Sequence, residues 1–293
     1  MSKEVKAHIL AFISSIIWGT TFISSKTLLS YFQPIELLFI RFIFGLITLF
    51  LLCPKVFKLQ NKKDEIYFAL AGFSGITLYY LLENYALTYT LASNVGVIIS
   101  LAPFFTGIIA HFFIEDERMH KNFFIGFVVS MIGVFFISFN GVTTLELNPL
   151  GDILTMIAAL VWALYSYCVK KISSSYNVIQ STRRMFEYGI LFMIPVVLLT
   201  DTNIRLLDVF QTKYILHFLF LSVGASAICF VIWNWSVDVL GTMKTSVYIY
   251  LVPVITVIAS VFFLDEPLTL MSGIGTILAL SGLILSEKNG HDE

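Results

Sequence analysis

Trp18, Thr21, Phe22 and Ser25 stand at i, i+3, i+4 and i+7, so one helix face carries an indole, a phenyl ring and two hydroxyls. A second face of the same kind is built from Trp162, Tyr165, Ser166 and Val169. Aromatic rings with an N–H and hydroxyls suit a small amphipathic solute bearing an amine or an apolar side chain; helix packing is the other use for such residues. Trp235, beside Trp233, and Tyr248 are further candidates for that surface. Asn84 and Asn234 are amides within apolar stretches, and each must find a hydrogen-bond partner on a neighbouring helix or on the solute. Pro103 and Pro253 lack an N–H and oppose the carbonyls of Ile99 and Ile249, so each should kink its helix, free a carbonyl and act as a gating bend.

Ionisable groups inside apolar stretches complete the set. Arg41 has Glu36 and Glu83 as candidate partners, Glu187 has Arg183 or Arg184, and Lys26 stands where it could attract a carboxylate. Each of these charges could equally belong to a structural ion pair. Other chemistry is excluded. No Gly-rich loop ends in Gly-Lys-Ser/Thr, so ATP hydrolysis by this chain is not expected. Cys53, Cys168 and Cys229 lack metal-ligand or disulfide spacing, and no nucleophile–His–acid set is evident. The expectation is a protein that is not an enzyme, with no cofactor, no metal and no nucleic-acid partner.

The elements that must position these residues follow from composition. Hydrophobic residues make up 58% of the 293, charged residues 13%, and the mean hydropathy is +0.88. That leaves too little polar surface to cover a water-soluble globule, and lipid becomes the solvent. Apolar stretches of roughly 20 residues, the length that crosses a bilayer core, cover 8–29, 34–53, 66–88, 91–114, 121–140, 150–170, 178–200, 214–238, 242–264 and 268–286. No cleavable leader precedes the first, which reads as a retained span.

The second half repeats the first. Asn84, Pro103 and the acidic pair Glu115-Asp116 return 150 residues later as Asn234, Pro253 and Asp265-Glu266, while Trp18 and Lys26 return 144 later as Trp162 and Lys170. Gly126 and Gly133 return as Gly275 and Gly282, on faces of small residues that let helices approach closely. Two units, 1–145 and 146–293, each hold five spans. Five is odd, so the second unit enters the membrane from the opposite face, giving an all-α membrane protein of ten helices in two inverted five-helix repeats. Placing both termini in the cytoplasm puts Lys3, Lys6, Lys55, Lys58, Lys62, Lys63, Arg118, Lys121, Lys170, Lys171, Lys244 and Lys288 inside and only Arg205 and Lys213 outside. A bacterial inner membrane fits this arrangement.

The Trp in the first span of each half (Trp18-Gly19, Trp162-Ala163), the segment Asn84-Tyr85-Ala86-Leu87 leading to Pro103, and the acidic cluster closing the fourth span of each half resemble the EamA family of the drug/metabolite transporter superfamily. The likeness covers nearly the whole chain. It implies a secondary transporter that exports or exchanges a small organic solute, an amino acid or related metabolite, by alternating access. An organic-anion exchanger of the sugar-phosphate type is the competitor, with Lys26, Arg41, Lys170 and Arg184 as its cations; a receptor or scaffold without transport is a third reading. Short four-span relatives use a glutamate in their first span, and neither span one nor span six carries a mid-membrane carboxylate here. That leaves facilitated diffusion or exchange, or proton coupling through Glu83 or Glu187.

Overall fold

The computed structural model describes residues 1–90, 92–115, 117–138, 148–200, 202, 204–263 and 270–287. Asp116, Asp265-Glu266 and Lys288 therefore lie outside the described residues. The described chain is helical, without strands: α1 (Lys3–Leu29), α2 (Pro34–Leu52), α3 (Asp64–Tyr89), α4 (Ala92–Ile99 and Ala102–Phe113), α5 (Lys121–Ser138), α6 (Pro149–Ser173), α7 (Val178–Leu199), α8 (Thr212–Leu240), α9 (Thr242–Ser246, Val247–Tyr250 and Leu251–Phe263) and α10 (Leu270–Glu287). Among the described residues, six helices are long and apolar enough to cross a membrane: α1, α2, α3, the Val95–Phe113 part of α4, α6 and α8. Large apolar side chains such as Leu51, Phe112 and Leu199 are 79%, 73% and 84% exposed, a surface that only lipid would solvate.

Helix starts are written locally. The Ser2 hydroxyl accepts from the Val5 N–H at 3.2 Å, Asn177 accepts from Ile179 and Gln180, and Pro34 and Pro149 occupy first-turn positions where no N–H is needed. Two helices contain a wide π-helical segment, Gly72–Leu78 in α3 and Phe220–Ile228 in α8. These segments fall at corresponding places in the two halves.

Pro103 does more than kink its helix. It stands in the first turn of the second piece of α4, and the chain breaks at Ser100 and Leu101, whose N–H groups bond to Val97 and Ile98. In α9 the turn before Pro253 tightens into a 3-10 segment over Val247–Tyr250. The expected single bend is thus a break in one case and a change of helical pitch in the other, because the missing N–H removes the bond that would have held an α-turn.

The helices interleave. α1 packs on α8 and α9, and α6 packs on α3 and α4; α2 lies against the π-segment of α8, and α7 against that of α3. α5 and α10 pair along their lengths. A Cβ on Gly126 would stand 2.5 Å from the Gly282 carbonyl, and one on Gly133 would stand 2.6 Å from that of Gly275, so the two helices run antiparallel in close backbone contact. The small-residue faces read from the sequence are spent on each other, within the chain.

Candidate functional site

At the centre of the bundle the aromatic residues converge. Trp18 on α1 meets Trp162 on α6 edge to face, ring centroids 5.4 Å apart, and Trp233 on α8 at 4.8 Å. Trp162 is flanked by Tyr79 at 5.0 Å and Tyr165 at 4.9 Å. Against this cluster lies a narrow cavity of about 40 Å³. Its walls include Trp18, Thr21, Phe22, Trp162, Tyr79, Tyr80 and Glu83, closed by Ile99 and Ala102 of α4 and Ile249 and Val252 of α9. Room for the centres of roughly three waters is less than a metabolite needs.

The irregular helix turns shape this site. Ile99 and Ala102 flank the break before Pro103, while Ile249 lies within the 3-10 turn before Pro253 and Val252 follows it. The Trp18 Nε1–H donates to the Ala225 carbonyl at 2.9 Å, inside the π-segment of α8. On the other side the ring of Tyr165 lies directly on Gly75 in the π-segment of α3, where any Cβ would collide with it. The Trp162 Nε1–H is buried without a hydrogen-bond partner among the described residues.

The amides make hydrogen bonds between helices. Asn234 accepts from the Tyr165 hydroxyl at 2.6 Å and donates to the Thr182 hydroxyl at 3.1 Å, joining α8, α6 and α7. Asn84, fully buried, donates to the Pro34 carbonyl at 3.5 Å. Two expected surface residues lie elsewhere. Trp235 lines a separate cavity with Asn177, Ser181 and Asp238, at the end of the bundle where α6 and α8 finish; it is Trp233 that joins the cluster, because the next residue but one points across the helix. Tyr248 is taken by His8, whose Nδ1 is 2.8 Å from its hydroxyl.

The charges separate into three groups. Arg41, 1% exposed, donates from Nε to the Ser226 hydroxyl at 2.7 Å and lies 4.4 Å over the Tyr80 ring; its Nη2 has no partner among the described residues. Glu36, one of its two candidate partners, instead binds Arg205, whose backbone N–H and Nη2 each donate at 2.7 Å. That hydrogen bond holds the Arg205 guanidinium above its usual pKa. Glu83 shares the central cavity wall with Tyr79 and Tyr80.

At the end of the bundle carrying the N-terminus, Arg184 bonds to Glu187 at 2.8 Å and to Glu65, which also accepts from the Tyr188 hydroxyl. Arg183 donates to the Cys53 and Lys55 carbonyls at 2.7 and 2.8 Å. Tyr176, in the turn between α6 and α7, donates to Asp64 at 2.8 Å, and burial followed by that bond raises its hydroxyl pKa. Lys26 is exposed at the opposite end, 3.5 Å from the Thr90 carbonyl.

Tyr79, Tyr80 and the two π-segments escaped the sequence reading, as did Glu117, while Trp233 was weighed there only beside Trp235. The Glu117 carboxylate accepts from the Thr242 and Met243 N–H groups at 2.8 Å each and from the Thr242 hydroxyl at 2.6 Å, clipping the start of α9 to the chain that follows α4. The signal was present: Gly241, with φ +90°, would bring a Cβ to 2.7 Å from that carboxylate, so a glycine ahead of a helix start was the clue.

Comparison with known proteins gives one consistent result. The profile of the EamA-like transporter family matches residues 5–139 and again 149–287. An uncharacterized transporter of Archaeoglobus fulgidus is 26% identical over 98% of this chain and 99% of its own. The uncharacterized transporter YvbV of Bacillus subtilis is 28% identical over 97% and 92%. A probable amino-acid metabolite efflux pump of Escherichia coli is 25% identical over 96% and 94%. A crystal structure with 16% identity superposes with a TM-score of 0.78, covering 96% of both chains, which establishes likeness of fold.

Proposed function

The chain belongs to the EamA-like transporter family, and we propose that it exports or exchanges a small organic solute, an amino acid or related metabolite, by alternating access between two inverted five-helix halves, 1–145 and 146–293. As a family member it is an integral membrane transporter. One observation carries the finer reading: equivalent positions of the two halves, Trp18 and Trp162, Ile99 and Ile249, Ala102 and Val252, surround one central cavity. The helix contacts support it too, since α1 on α8 and α9 answers α6 on α3 and α4, and α2 on the π-segment of α8 answers α7 on that of α3. A profile that fits twice, once per half, points the same way.

In this arrangement the four helices that deviate from regular α-geometry, α3, α4, α8 and α9, are the moving parts, since irregular turns are where φ and ψ can change at low cost. The Arg184–Glu65–Glu187 network ties α7 to α3, and the Glu117 clip ties α9 to the chain after α4, at the end bearing the N-terminus. The positive charges favour that end as cytoplasmic, in a bacterial inner membrane. Amino-acid metabolites are favoured as cargo by the name of the Escherichia coli relative and by aromatic walls that suit an amphipathic solute. The organic-anion alternative loses support: no described lining residue carries a positive charge, Arg184 is bound by two carboxylates, and Lys26 is at the far end.

Purified protein in liposomes tests this. Counterflow of at least one member of a panel of labelled amino acids and their metabolites is expected. Absence of counterflow across the panel by correctly folded protein would remove the reading, and counterflow confined to phosphate esters would replace it with the anion exchanger.

A further inference from the structure

The two halves differ at one telling place. Where the first half has Glu83, the position 150 residues later is Trp233. The cavity therefore holds one carboxylate, not two, and Glu83 is the one acidic side chain among its described lining residues.

Glu83 is 4% exposed and sits on a wall of aromatic rings. Tyr79, which shares that wall, carries a neutral phenol. The nearest strong cation, Arg41, makes no ion pair with it among the described residues; its guanidinium is engaged by Ser226 and the Tyr80 ring, and it is not part of the cavity wall. A carboxylate in an apolar enclosure attracts a cation strongly, because little water competes. The rings of Trp18, Trp162 and Tyr79 add cation–π attraction for the same charge. A second polar feature is unfilled: the Trp162 Nε1–H, on a residue 3% exposed that lines the cavity, donates to nothing among the described residues. A buried donor left idle costs free energy that an acceptor on a ligand would recover.

We infer that this cavity is an ammonium site: Glu83 takes a protonated amine beneath the Trp18, Trp162 and Tyr79 rings, and the Trp162 indole N–H takes a hydrogen-bond acceptor carried by the same molecule. The assignment rests on the transport reading and narrows its cargo to solutes with a cationic nitrogen and an apolar body. Because the cavity is narrow, the solute enters by separating α4 and α9 at their irregular turns.

Tryptophan fluorescence of the purified full-length protein tests it independently of flux. Of the four tryptophans in the chain, three, Trp18, Trp162 and Trp233, are in the cluster beside the site. Phenethylamine and 3-phenylpropionate share a body and differ in charge. Saturable quenching by the amine, weaker by roughly tenfold or more with the anion and with Glu83→Gln, is the expected result. The amine–anion comparison uses the wild-type protein, so it stands even if Glu83→Gln fails to fold. No saturable amine quenching, equal affinity for the anion, or a correctly folded Glu83→Gln with undiminished amine affinity would each overturn the assignment. Liposome counterflow separates the two ideas. Binding of the amine without any flux defeats the transport reading alone; flux that ignores both Glu83 and solute charge defeats the ammonium site alone.

Discussion

Trp18 and Trp162 occupy corresponding positions in the two halves and touch edge to face at an interplanar angle of 88°, yet their indole N–H groups have different fates. That of Trp18 caps the Ala225 carbonyl in the π-segment of α8; that of Trp162 has no partner among the described residues. Trp18→Phe should therefore destabilise the protein by about 1 kcal/mol more than Trp162→Phe, the value of one hydrogen bond. Thermal unfolding of the two variants checks this, and indistinguishable melting temperatures would contradict it.

Gly126→Ala should be costly. The new Cβ would be 2.5 Å from the Gly282 carbonyl, forcing α5 and α10 apart at a cost of roughly 1–3 kcal/mol. Gly273→Ala is the control, since nothing lies within 4 Å of its Cβ position. A lower melting temperature only for the first variant is the expected pattern.

Glu36 is fully buried and depends on Arg205 for its counter-charge. Arg205→Ala strands that carboxylate and should cost roughly 3 kcal/mol. The double variant Glu36→Gln/Arg205→Ala should recover much of the loss. A double variant no more stable than Arg205→Ala would show that the pair is not what matters.

Glu117→Ala removes three hydrogen bonds at the start of α9. Loss of a helix cap of this kind costs about 1 kcal/mol, and the effect should be local. Amide hydrogen exchange over Thr242–Ser246 should accelerate while exchange over Lys121–Ser138 stays unchanged; a uniform acceleration would point to global destabilisation instead.

Apolar periodicity, repeat spacing and proline placement made the helices legible in the sequence. What was hidden depends on helix pitch. A π-segment widens a turn and shifts the register of every residue after it, and no side-chain pattern announces one. Tyr79 and Tyr80, just beyond the π-segment of α3, thus came as additions to the site. Ion pairing was illegible for a simpler reason. Glu36 and Arg41 are close in sequence on one helix, but the cation that neutralises Glu36 is Arg205, on a loop far along the chain, and such a match depends on tertiary packing alone.

The central space of about 40 Å³ has an electrical consequence. Roughly three water molecules fit there, too few to hydrate a travelling ion, so this space as it stands does not favour free ion passage. Each passage of cargo must begin by widening it.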